Sequence, residues 1–68
     1  MDLETATKVI VHIDKLIVEA ISKGEGRDAM QQYEAAAVEL HQASILLKAK
    51  AAIVGSLPQE VAEEILGL

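Results

Sequence analysis

From Asp28 to Val54 the chain reads DAMQQYEAAAVELHQASILLKAKAAIV, with neither Gly nor Pro. An unbroken stretch so rich in Ala, which loses no side-chain entropy on becoming helical, predicts a helix over 28–54, about 40 Å long. Ala29, Tyr33, Ala36, Leu40, Ala43 and Leu47 follow at steps of four and three and so share one face. Whatever precedes and follows must lie along that helix or leave its apolar face wet.

The preceding segment predicts a helix over 3–23. Asp2 suits the N-cap, and Glu4 places negative charge in the first turn, where the helix dipole favours it. Leu3, Ala6, Ile10, Ile13, Ile17 and Ala20 form a heptad seam of alternating three- and four-residue steps. Val9 and Leu16 widen it on one side, and Val11 and Val18 lie beyond the other, a stripe wide enough for two partners. The β-branched run VIVHIDKLIV raises a strand alternative. Strict alternation fails from Lys15 to Val18 while the helical seam runs on, so helix is the expectation.

Between the two lies SKGEGR, Ser22 to Arg27, where Gly24 and Gly26 can take the positive φ that ends a helix and reverses the chain. Asp28 then caps the second helix. A connection this short makes the helices antiparallel, setting Ala20 near Tyr33, Ile13 near Leu40 and Ile10 near Ala43. Small faces large at these levels, so enlarging Ala36 or Ala43 is expected to cost about 1–3 kcal/mol by overpacking. At the far end Gly55 suits the C′ position. Ser56-Leu57-Pro58-Gln59 reads as a capping box with Pro in the first turn of a third helix over 57–66. Leu57, Val61 and Ile65 share its apolar face, with Leu68 as a further candidate, and a helix so short needs a surface to fold against.

Sixty-eight residues make a single helical domain, 1–68, in the size range where one core is barely sufficient. No cysteine is present to staple it. A net charge of −5 and the lack of any Lys/Arg run argue against nucleic-acid binding. The longest charge-poor run, Ile45 to Val54, contains Lys48 and Lys50 and falls far short of the roughly 20 residues a membrane span needs. Asp2 and Glu4 stand where a signal peptide would be basic, and the cytoplasm is the expected compartment.

Catalytic chemistry finds no support. Ser22, Ser44 and Ser56 lack a GxSxG setting, GEGR is no phosphate loop, and Tyr33 reads as a packing residue. In the expected hairpin His12 and His41 fall at one height, near Asp14 and Glu39. Neither stands three residues after a Glu as bundle metal sites prefer, so both read as surface histidines. No catalytic, cofactor or metal residue is therefore assigned, and the chain is expected not to be an enzyme.

With 51% hydrophobic residues and one aromatic, three short helices have more apolar surface than they can hide. Surplus of this kind marks an interface. Ala43, Leu47, Ile53 and Val54, with Val61 and Ile65, are the expected partner-binding residues. The expected function is an adaptor or chaperone that shields an amphipathic helix of a protein partner. The alternative is a structural homo-oligomer, such as a phage or particle component, whose partner is itself and whose bundle is completed by association.

The Gly-rich turn, Asp28, Gln31-Gln32-Tyr33 opening the second helix, and Ala43 with Ile45-Leu46 three turns on resemble the small co-chaperones of type III secretion needle subunits. That resemblance covers about forty residues and implies a cytoplasmic helical hairpin that pairs with a tetratricopeptide-like chaperone and keeps a needle subunit from polymerising. The chain departs from the pattern in a short first helix and an added third one. Gly24, Ala29, Tyr33 and Ala36 are similarly spaced to small residues of tetratricopeptide and microtubule-interacting-and-trafficking hairpins, which also implies protein binding.

Overall fold

A computed structural model describes residues 2–67 as three helices and, among those residues, no strand. Helix α1 spans Leu3–Ala29, α2 spans Tyr33–Ser56 and α3 spans Gln59–Leu66. α1 and α2 pack closely as an antiparallel hairpin, and α3 folds back onto α1. The result is a rod of 44 × 18 × 15 Å. The run VIVHIDKLIV is helical, as its seam requires.

The expected seam of α1 is the one that is buried. Ala6, Ile10, Ile17 and Ala20 are buried and Ile13 half-buried; Leu3, at the helix start, stays exposed. At its N-terminus the Asp2 carboxylate accepts the Thr5 N–H at 2.7 Å, closing one of the donors that a helix start leaves open. That hydrogen bond, more than any other influence, holds the Asp2 carboxyl below its ordinary value of 3.8.

Two expected helix ends are corrected. SKGEGR does not turn: α1 runs through Gly24 and Gly26 to Ala29, and Asp28 lies inside it rather than capping α2. The reason is packing. Gly24 falls four residues after Ala20, on the seam itself, and is buried where the hairpin is tightest. A Cβ at that position would meet Cγ and Cδ2 of Leu40 at 2.9 Å and lie 3.5 Å from the Ala36 carbonyl oxygen. The glycine serves close helix approach, and tertiary contact outweighs its poor helix propensity. The reversal instead falls at Met30-Gln31-Gln32, where Gln31 takes φ 61 and its N–H donates to the Asp28 carbonyl at 2.9 Å. Gln32 stands at the N-cap of α2 with no side-chain cap; its side-chain oxygen accepts from Arg27 at 3.1 Å.

At the other end α2 continues through Gly55 and Ser56, so Gly55 is not a C′ residue and Ser56 caps nothing. The Ser56 hydroxyl donates backward to the Ile53 carbonyl at 2.8 Å. Pro58 occupies the N-cap position of α3, and the Gln59 side chain donates to Glu63 at 2.9 Å instead of reaching back to a cap. Val61 and Ile65 are half-buried, as is Leu57 in the linker, and Gly67 ends the helix at φ 75. Leu68 lies outside the described residues.

Moving the turn shifts the register. Gly24 rather than Ile13 faces Leu40, and Asp14 faces Lys50, so each α1 residue meets α2 about three turns further along than expected. The rotation of α2 shifts with it. Its inward face carries Ala36, Glu39, Ala43, Leu46, Lys50 and Ile53, all buried or half-buried, whereas Tyr33, Leu40 and Leu47 are exposed. Two charged residues sit on a face that hydrophobicity alone would not choose. Each is paired across the hairpin, Lys50 with Asp14 at 2.7 Å and Glu39 with Arg27 at 3.6 Å.

Candidate functional site

Because α2 turns Ala36, Glu39, Ala43, Leu46 and Lys50 toward α1, its other apolar residues are left outside. Ala37, Leu40, Ser44, Leu47, Ala51 and Val54 again alternate at steps of three and four, so α2 carries a second heptad seam beside the first. Among the described residues no helix lies along most of it, although one edge of Leu40 rests on Gly24 of α1. Leu40 is 46% exposed and Leu47 51%; Ala37, Ser44 and Ala51 are exposed, and only Val54 is half-covered. Tyr33, the sole aromatic, extends the seam at the turn end and is 62% exposed, next to Met30.

At the opposite end the seam runs into a groove of about 470 Å³ between α2 and the tip of α3, lined by Leu47, Lys50, Ala51, Val54, Gly55 and Leu66. Gly55 has open space where a Cβ would stand, so the groove floor is backbone at that point. The Lys50 ammonium is held by Asp14, which leaves the lining almost wholly apolar. Such a surface can bury apolar side chains from a neighbouring helix.

The residues expected to bind a partner divide into three. Leu47 and Val54 lie on this seam and line the groove. Ile53, Val61 and Ile65 are half-buried within the three-helix unit, Ile53 on the face of α2 turned to α1. Ala43 is 4% exposed and is spent on the hairpin itself. Leu40 and Ala51 lie on this seam outside the expected set, because hydrophobicity alone selects the all-apolar face of α2 as the hairpin contact. The 37-40-44-47-51-54 spacing was the signal that a second face existed.

The histidines do not meet. Asp14 is level with Lys50, and Leu40 with Gly24, so His12 lies toward one end of the rod and His41 toward the other, both exposed. Among the described residues no cluster of three His, Cys, Asp or Glu side chains could hold a metal, and no helix is long and apolar enough to cross a membrane. The Gly-rich turn that carried the likeness to secretion co-chaperones is helix, which removes its main local feature. Set against known protein families, characterised proteins and solved structures, the chain matches none of them.

Proposed function

We propose that the chain is a non-enzymatic protein–protein interaction module that binds an amphipathic helix along the outer seam of α2, in the manner of an adaptor or chaperone. The supporting observation is the run of exposed Leu40 and Leu47 leading into the apolar groove at Val54, Gly55 and Leu66. Helix-in-groove recognition uses anchors at this three- and four-residue spacing, and a patch of this kind on a small protein marks an interaction site. Small residues at Ala37, Ser44 and Ala51 let the incoming backbone approach closely.

A labelled amphipathic helix of Leu and Lys, titrated with chain held at nanomolar concentration, tests the reading. Saturable binding is expected, weakened about tenfold or more by Leu47→Glu, because a charge would then be buried against the probe. Leu47 is half-exposed, so the variant keeps its far-ultraviolet circular dichroism. Equal binding by both proteins would contradict the proposal.

A further inference from the structure

We infer that the helix seated on the outer seam of α2 is α2 of a second copy, antiparallel to the first and related to it by a two-fold axis beside His41. The inference rests on the reading of that seam as a helix-binding surface and names its occupant.

Charge along the helix is self-complementary in this orientation. Glu34, His41 and Lys48 follow at intervals of seven and share one lane alongside the seam. All three are exposed, and neither Glu34 nor Lys48 enters an ion pair among the described residues. Antiparallel pairing about His41 sets Glu34 of each copy against Lys48 of the other. Parallel pairing sets this lane beside the lane of Ala36 and Ala43 and leaves Glu34 and Lys48 without opposite charges.

Net charge selects the same face. The chain carries −5, yet the charged side chains of α2 are Glu34, Glu39, Lys48 and Lys50, which balance. α3 holds Glu60, Glu63 and Glu64 with no base, and α1 with its cap is also net acidic. Of the three helices α2 alone carries no net charge, so two copies meet there with the least repulsion.

Shape agrees with charge. The alignment that matches Glu34 to Lys48 brings Tyr33 of one copy level with Ala49 of the other, between the seam residues Leu47 and Ala51 at the groove between α2 and α3. Tyr33, 62% exposed, is the sole aromatic and stands at the turn end, and the groove is an apolar hollow at the far end. The two-fold seats the pair twice, as an isologous interface requires.

Sedimentation equilibrium of the full chain from micromolar to millimolar concentration at low salt tests this, read together with near-ultraviolet circular dichroism, which reports Tyr33 alone. A reversible monomer–dimer equilibrium is expected, with the Tyr33 signal rising in step with dimer. Tyr33→Ala is expected to raise the dissociation constant about tenfold or more with the helical signal intact, since Tyr33 is exposed in the single chain. Glu34→Lys is expected to raise it about fivefold, and adding Lys48→Glu to restore it to within about twofold. A dimer indifferent to Tyr33→Ala and to the charge exchange would overturn the antiparallel α2 pairing. A chain monomeric throughout would overturn the second copy as occupant: if it still bound the Leu/Lys helix the interaction surface would stand, and if it did not, both would fall.

Discussion

Gly24 and Gly26, two residues apart and both helical, answer to different physics. A Cβ at Gly26 meets nothing within 4 Å, whereas one at Gly24 runs into Leu40. Gly26→Ala should therefore stabilise the fold by about 0.5–1 kcal/mol, the ordinary gain from removing a helical glycine. Gly24→Val should cost about 1–3 kcal/mol by overpacking. Chemical denaturation of the two variants checks both signs. Asp2 makes a second residue-level prediction. Its carboxyl ionises at lower pH in the folded chain than in the unfolded one, so its stabilising contribution is complete above 3.8 and is lost as pH falls through the lowered folded value. The stability difference between wild type and Asp2→Ala, followed by thermal melts across pH, should be constant near neutrality and shrink in acid.

At the scale of the elements, what matters is where α1 stops. Gln31 holds a left-handed conformation that costs a side-chain-bearing residue roughly 1–2 kcal/mol, so Gln31→Gly should stabilise the hairpin by about 1 kcal/mol in denaturant melts, less the greater freedom of Gly when unfolded. The cross-hairpin ion pairs report the register. Asp14→Lys should destabilise by setting two ammonium groups together, and Asp14→Lys with Lys50→Asp should recover most of the loss, a coupling of about 1 kcal/mol for a pair this exposed. The α1 seam was legible because its apolar residues keep one period from Ala6 to Ala20 and nothing competes with them. The turn was not, because a pair of glycines looks the same whether it reverses a chain or admits a neighbouring helix. What separates the two uses is that Gly24 stands on the seam, four residues after Ala20. The inward face of α2 was hidden for a related reason. Ala36 and Ala43 belong to both candidate faces, and hydrophobicity favours the one with Leu40 and Leu47. The face used contains Glu39 and Lys50, acceptable only because Arg27 and Asp14 reach them from α1. That compensation is tertiary and leaves no trace in the local pattern.

On the scale of the whole molecule, those charged positions decide what is left outside. By turning Glu39 and Lys50 inward against partners, the hairpin leaves Leu47 and the outer half of Leu40 on its surface, with the α3 residue Leu66 near Val54 at one end. The core is correspondingly lean, built from Ala6, Ala20, Gly24, Ala36 and Ala43 with Ile10 and Ile17, so the helices approach closely, with Leu40 resting on Gly24 at one edge and Leu47 exposed. A chain of this size that needed its apolar residues for stability alone would bury Leu40 and Leu47 and expose Glu39 and Lys50. The opposite arrangement is what supports the proposed association role. It is tested most directly by the molar mass in solution of the wild-type chain and of Leu47→Glu, measured side by side by sedimentation equilibrium up to millimolar concentration. The account predicts a wild type that associates reversibly and a folded Leu47→Glu that stays monomeric. Identical masses for the two proteins at every concentration would contradict it.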